Sequence, residues 1–380
     1  MNILHTIPSF GLKSGGTSTC TYDLLSALNL QSCPADVLTL NVQNTLDEII
    51  GEGETWIKAV PFDAKTPFQI SHNLKQFLLE ERIYDLYHTN GLWLYCNHIT
   101  ASIARKKDKP YLISPHGMLY PQALSRSSWK KVLMRKLCFD NDLVKAACIH
   151  VTCVEEMNHY RQLGFENPVA VIPNPVPFFE MGEMKGKNEI SRIGFLGRIH
   201  PRKQVERLIY AWKKLGNQIS GAELLIMGEG DDSYLSFLKQ EVKRLSLFGV
   251  CFTGFVSGND KYEKLASLSC LCVPSDFENF GMIITEALSV GTPVIASKGT
   301  PWKELNTHCC GWWVDNDVDT LAATIWEALN TSEEERLAMG ERGKQLIKDN
   351  YSVEMVAGKM KRLYEWILYG GEKPKFVYLK

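Results

Sequence analysis

Short β-branched runs alternate with amphipathic stretches along the whole 380 residues, and that alternation restricts the fold more than any other feature. Asn2–Ile7, Asp36–Leu40, Tyr84–His88, Tyr111–Ser114, Ala147–Val151 and Ala170–Ile172 carry the strand signature, a brief apolar run bounded by turn formers. Helical spacing predicts helices near 17–31, 67–82, 94–106, 127–145 and 154–163. Strands separated by helices predict a parallel sheet covered on both faces. Residues 173–190 then carry Pro173, Pro175, Pro177, Gly182 and Gly186 with no periodicity, which predicts a linker. Strands resume at Arg192–Gly197, Glu223–Met227, Val250–Thr253, Cys270–Pro274 and Pro293–Ala296, and helices from about 332 to 369 end the chain. The expected fold class is α/β, two Rossmann-like parallel-sheet domains facing a cleft. The first spans 1–175, a linker 176–190, and the second 191–350, with 351–380 returning as a helical segment to the first. The length also exceeds what one hydrophobic core usually supports.

Composition removes several function classes. A formal net charge of −1 offers no global field for nucleic acid, so no nucleic-acid partner is expected. No run approaches 18 apolar residues, and Met1-Asn2-Ile3-Leu4-His5 lacks a signal peptide's basic and apolar regions. Eleven cysteines without one C-x-x-C pair predict buried thiols in a reducing compartment, and a cytoplasmic location is expected.

The strongest motif runs from Pro274 to Leu288. An apolar strand enters a polar loop, Ser275-Asp276-Phe277-Glu278-Asn279-Phe280, and Gly281 opens a helix. The first-turn N–H groups of Gly281, Met282 and Ile283 have no helical partner and sit at the positive end of the helix dipole, which makes a phosphate cradle. Glu278 precedes the cradle, where a carboxylate can meet a sugar hydroxyl. Glu286, five residues past Gly281, can accept two hydrogen bonds from a ribose diol. Gly197-Arg198-Ile199-His200-Pro201-Arg202-Lys203 follows another strand, and Arg198 with Lys203 can neutralise a diphosphate without a metal. Gly15-Gly16 after the first strand lets backbone approach a phosphate or sugar, although Pro8–Thr17 is neither G-x-G-x-x-G nor a P-loop. A dehydrogenase is therefore disfavoured.

Jointly these residues resemble glycosyltransferase family 4, retaining enzymes of the GT-B fold, of the type that builds bacterial polysaccharides. The resemblance covers nearly the whole chain and is densest across 192–305. Glu278 and Glu286 match the family's E-x7-E element, Gly197, Arg198 and Lys203 its G-R-x4-K element, and Gly15-Gly16 its N-terminal glycine loop. The resemblance implies that Arg198 and Lys203 bind the donor diphosphate, Glu286 the ribose and Glu278 the hydroxyls of the transferred sugar. Gly16 would close over the donor from the other domain. Phe252-Thr253-Gly254-Phe255-Val256 is similar to the nucleobase turn, where backbone of Phe255 and Val256 reads the base, and Gly228-Glu229-Gly230 to the glycine turn of the nucleotide pocket. Phe280 lies in the donor-binding stretch. His116 in Ser114-Pro115-His116-Gly117 resembles the His-Gly element that reaches the sugar, and His88 with Asn90 are acceptor-side candidates. No cofactor and no metal are expected.

The implied reaction moves a hexose from a nucleotide sugar to a saccharide or lipid-linked acceptor. UDP-hexose, such as UDP-glucose, is expected first and GDP-mannose second, from the commonness of these donors and not from any residue. A sugar-nucleotide epimerase of the same architecture and a non-catalytic nucleotide-sugar binder are the competing classes. Asp140-Asn141-Asp142 and Asp315-Asn316-Asp317 copy a metal-binding D-x-D, but neither has its strand-end context. Finally, 109–139 holds no acidic residue, while Arg126, Lys130, Lys131, Arg135 and Lys136 cluster with Trp129, Val132, Leu133 and Leu137 at helical spacing. Such a helix, capped by Ser127 or Ser128, either buries its apolar stripe or docks through 126–137 on the inner face of the cytoplasmic membrane.

Overall fold

The computed structural model describes residues 1–11, 14–41, 48–64, 66–80, 84–125, 128–178 and 190–380. The chain divides into two compact units, Met1–Pro175 with Val353–Lys380, and Val176–Ser352. Most of the expected linker, 179–189, lies outside the described residues, and Val176 already belongs to the second unit through a bridge to Ser352.

The first unit holds β1 (Ile3–Thr6), β2 (Ala35–Asn41), β3 (Ile57–Pro61), β4 (Leu86–Asn90), β5 (Tyr111–Ser114), β6 (Cys148–Val151) and β7 (Val169–Val171). The second holds β8 (Arg192–Leu196), β9 (Glu223–Met227), β10 (Val250–Gly254), β11 (Cys270–Val273), β12 (Val294–Ser297) and β13 (Gly311–Val314). A last strand, β14 (Val377–Tyr378), rejoins the first unit. The sheet orders are β14-β7-β6-β5-β4-β1-β2-β3 and β10-β9-β8-β11-β12-β13, and every pairing is parallel except β14 with β7. Every residue of β1, β4, β5, β6, β11 and β12 is buried, as strands with helices on both faces require. The edge strands β3 and β10 are instead half exposed along their length.

Each order reverses direction beside its first strand, between β1 and β4 and between β8 and β11. At such switch points neighbouring crossovers leave on opposite faces, and the loops after the carboxyl ends part to leave a crevice. Gly15-Gly16 and His116 follow β1 and β5 and Asn90 ends β4, whereas Arg198 and Glu278 follow β8 and β11. The helix Val205–Leu215 covers the second sheet by burying Val205, Leu208, Ile209, Ala211, Trp212 and Leu215, the three- and four-residue spacing of one face. The final helix, Val353–Tyr369, inserts Val356, Ala357, Met360, Leu363 and Tyr364 into the cluster formed by Ile3, Leu25 and Leu28 of the first unit.

Two expectations change. The segment 127–145 is a helix Ser128–Met134, a wider π-turn Arg135–Phe139 and a helix Asp140–Val144, with Arg126 and Ser127 outside the described residues. Its apolar stripe is not core: Trp129 is 68% and Leu137 69% exposed, and Val132 and Leu133 are about half exposed. All cysteines are unpaired, but Cys251 and Cys309 are exposed rather than buried. Burial pushes the Cys20, Cys96, Cys148 and Cys272 thiols up to about 12, so these four stay protonated and inert.

Candidate functional site

In the second unit the β8 and β9 loops are laced by backbone. Gly197 N–H donates to Met227 O at 3.1 Å, Ile199 N–H to Glu229 O at 2.9 Å and Asp231 N–H to Ile199 O at 3.1 Å. A Cβ on Gly228 would lie 2.0 Å from Gly197 O, and one on Gly230 1.9 Å from Ile199 O, so both glycines are demanded by close approach. This lacing projects Arg198 outward, where it is exposed and has no partner among the described residues. Pro201–Lys203 then forms a 3-10 turn in which the His200 ring accepts from Arg202 N–H at 3.1 Å.

That turn delivers Lys203 to Glu278. The two form an ion pair, largely enclosed at both ends, and Ser275 Oγ donates to the same Glu278 oxygen at 2.7 Å. Backbone holds the carboxylate's loop, with Glu278 N–H donating to Gly299 O at 2.9 Å and Asp276 N–H to Arg202 O at 3.0 Å. Gly281 caps the helix Met282–Ser289 at φ +81°, a left-handed conformation that glycine adopts freely. No hydrogen bond engages the N–H groups of Gly281, Met282 or Ile283 among the described residues. Phe280 is buried against Trp302 and Tyr351, and its carbonyl accepts from the Trp302 indole, which fixes the cradle's entrance.

Glu286 is not free. Lys261, on the helix Gly258–Ala266, pairs with it at 2.9 Å while lying 4.6 Å from the Tyr262 ring centre. Lys261 was missed in the sequence, where its only signal is a lone cation on the helix following the β10 turn. Phe255 in that turn is 55% exposed and Val256 is buried, which leaves an aromatic face beside the backbone groups expected to read a base.

The first unit brings the other candidates together. Gly15 precedes the helix Gly16–Leu30 at φ +96°, and a side chain there would meet nothing within 4 Å, so its requirement is conformational. His116 stands at φ +50°, costly for a residue other than glycine, and Gly117 follows at φ +76°. Glu156, also missed in the sequence, holds this turn. One carboxylate oxygen accepts from Gly117 N–H, and the other from Thr152 N–H at 2.9 Å and Thr152 Oγ1 at 3.1 Å. The available signal was a glutamate at the third position of the helix Val154–Gln162, where it reaches back to the preceding backbone.

Behind His116 lies a buried polar chain. His116 Nε2 is 3.1 Å from Asn90 Oδ1, and Asn90 Nδ2 is 3.2 Å from His5 Nδ1. His5 Nε2 and His88 Nδ1 each lie 2.8 Å from Tyr364 Oη. His88 Nε2 is 2.6 Å from Ser114 Oγ, which is 2.7 Å from His150 Nδ1, and His150 Nε2 donates to Ile172 O at 2.9 Å. Burial is the main cause that lowers His5 and His116 to about 3 and His150 to about 4, and it takes His88 well below its ordinary value. All four are therefore neutral at pH 7. His88 is wholly buried with both nitrogens engaged, and Asn90 is buried with both ends of its amide bonded. This pair, expected on the acceptor side, is thus almost fully buried and engaged within the chain that ends at His116.

The D-x-D lookalikes are structural. Asp142 is buried between Arg105 and His98, each at 2.7 Å, Asp317 caps a helix by accepting from Thr320 N–H at 2.8 Å, and Asp315 pairs with Lys298. Among the described residues no group of three or more metal-ligating side chains converges, and no helix is long and apolar enough to cross a membrane.

The family described as Glycosyl transferases group 1 matches residues 183–346, and the Glycosyl transferase 4-like domain matches 15–175. A stretch covering 34% of the chain is 33% identical to an uncharacterized glycosyltransferase of Methanocaldococcus jannaschii, of which it spans 33%. Another, covering 50% of the chain, is 27% identical to 51% of a GDP-mannose-dependent α-(1-6)-phosphatidylinositol monomannoside mannosyltransferase of Mycobacterium tuberculosis. The chain thus spans a third to a half of the length of these curated relatives. Two solved structures share its fold. Anabaena HepE in complex with UDP and glucose has TM-score 0.76 and 18% identity, over 96% of this chain and 99% of that one. Sucrose-phosphate synthase from Thermosynechococcus elongatus has TM-score 0.76 and 21% identity, over 98% and 100%.

Proposed function

Because the chain belongs to the GT-B glycosyltransferases of the family 4 type, we propose that it transfers a hexose from a nucleotide sugar to a saccharide or lipid-linked saccharide with retention of anomeric configuration. The observation that supports this is the placement of the exposed Arg198, the Lys203–Glu278 pair, the unbonded N–H groups at Gly281 and the Glu286 carboxylate on the segments that follow the adjacent strands β8 and β11. Two cations and a helix N-terminus suit a departing diphosphate, and stabilising its charge as it develops is the main way such a site lowers the barrier. In this reading Glu286 holds the ribose, Glu278 orients the sugar, His116 binds the sugar and Gly16 binds the donor. The retaining step runs on one face of the sugar, the leaving diphosphate oxygen taking the acceptor's proton. This step needs no covalent intermediate on Glu278, whose carboxylate Lys203 and Ser275 hold through one oxygen.

The donor assigned first is a UDP-hexose such as UDP-glucose. GDP-mannose is the second reading, favoured by the mannosyltransferase named among the relatives. The acceptor belongs to cell-surface polysaccharide synthesis, and the protein works in the cytoplasm. There the exposed Trp129, Val132, Leu133 and Leu137, interleaved with Lys130, Lys131, Arg135 and Lys136, give it a peripheral hold on the membrane's inner face. The test is a thermal-shift screen of UDP, GDP and ADP sugars followed by product analysis. A ligand at a hundredfold excess over its Kd adds about 2.7 kcal/mol to the unit that binds it. No shift with any nucleotide sugar refutes the proposal, and a shift with release of a free rearranged sugar assigns an epimerase instead.

A further inference from the structure

The buried chain behind His116 has a direction, and one end fixes it. Ile172 O can only accept, so His150 carries its proton on Nε2 and, being neutral, presents a bare Nδ1. Ser114 must then donate to His150 Nδ1 and accept from His88 Nε2–H. His88 Nδ1 is therefore bare and accepts from the Tyr364 hydroxyl, whose oxygen accepts from His5 Nε2–H. His5 Nδ1 accepts from Asn90 Nδ2, which leaves Asn90 Oδ1 to accept from His116 Nε2–H. The far end agrees independently. Asn90 Nδ2 also points at Thr6 O, at 3.4 Å, and a carbonyl there admits only the nitrogen side of the amide. His116 Nδ1 is thus left bare, with no partner among the described residues.

We propose that this one-way chain fixes His116 as the Nε2–H tautomer, so that His116 offers the transferred sugar an acceptor for one of its hydroxyls and never a donor, with Tyr364, His88, Ser114 and His150 as positioning residues. The inference rests on the reading that His116 meets the sugar. The choice is imposed from Ile172 through five side chains and a tyrosine of the final helix, and the long contact of Asn90 Nδ2 with Thr6 O reinforces it locally. Interrupting the chain leaves the long Asn90–Thr6 contact alone to oppose reversal of the remaining members. Without the Tyr364 hydroxyl, His5 can move its proton to Nδ1, the Asn90 amide turns over to accept it, and His116 must then carry its proton on Nδ1. A reversed His116 points N–H at a sugar hydroxyl.

The experiment is a long-range proton–nitrogen correlation spectrum of histidine-labelled protein at neutral pH, with the His116 signal assigned from His116→Gln. It is run on the wild type, Tyr364→Phe and Ser114→Ala, alongside kcat and KM for the donor. The expected wild-type spectrum shows His116 protonated on Nε2 alone. Both variants show a mixture and lose roughly tenfold or more in kcat with KM little changed, as misorientation of a reacting partner does. If one variant fails to fold, the other carries the comparison. A wild-type His116 protonated on Nδ1, or a tautomer unmoved in the folded variants, overturns the inference and leaves the transferase proposal standing. The expected spectra together with full transfer by His116→Gln overturn the sugar contact instead.

Discussion

Acid should unfold the first unit before the second, at a pH set by its buried histidines. Burial holds His5 and His116 at about 3, His150 at about 4 and His88 well below 6.5. Their hydrogen-bond partners are neutral: the Tyr364 and Ser114 hydroxyls, the Asn90 amide and the Ile172 carbonyl, with the Glu156 carboxylate bound to the Gly117 backbone beside His116. A histidine depressed in the fold binds fewer protons there than in the unfolded chain. Its contribution to stability is therefore complete above pH 6.5 and drains as pH falls toward the folded value. A single such group costs about 1.4 kcal/mol per pH unit in that window, and the several histidines of this chain add to one another in the same direction. A whole domain has only about 5–15 kcal/mol to lose. Urea melts from pH 7.5 to 4.5, with hydrogen exchange read separately for each unit, should show the first collapsing near pH 5. The second unit has no such group, since its His200 is only partly covered and its His308 is exposed. His150→Gln keeps a donor for Ile172 O and removes one titrating group, so the slope should fall by about a quarter. A first-unit stability flat from pH 7 to 5, or a slope unchanged by His150→Gln, would refute the reasoning.

Arg198→Ala and Lys203→Ala should each slow transfer by two or more orders of magnitude, since groups aimed at developing charge are typically worth about 3–4 kcal/mol; near-normal single-turnover rates in both variants would remove them from the diphosphate site. Glu286→Ala should chiefly weaken nucleotide affinity and Glu278→Ala chiefly slow turnover, because the ribose is held equally in ground and transition states while the sugar is not. Calorimetric titration checks the first, and an unchanged Kd removes the ribose role. Sedimentation with anionic and neutral vesicles should show salt-sensitive binding to the anionic ones that is lost in a Lys130→Glu, Lys131→Glu, Arg135→Glu triple variant, because each cation near such a surface contributes about 1 kcal/mol; equal, negligible binding to both vesicle types removes the membrane contact.

What the sequence exposes and what it hides divide along a physical line. Local devices are legible: the β8 and β11 loops keep glycines, cations and carboxylates at fixed offsets because backbone geometry fixes where each one points. The missed strands β3, β13 and β14 are all outermost in their sheets. The apolar stripe from Trp129 to Leu137 shows the limit of periodicity, which reports that a helix has an apolar side but not whether anything covers it. His88 and Asn90 show another limit. A strand's end can be located from pattern, but a polar side chain there becomes a surface ligand or a buried relay according to what stands behind it. What stands behind these two is Tyr364, separated from His88 by 276 positions in sequence. His88 and His116 could be picked out from the sequence, but His5 and His150 were missed and the protonation of all four was hidden, because it follows from a hydrogen-bonded order that begins at a single backbone carbonyl.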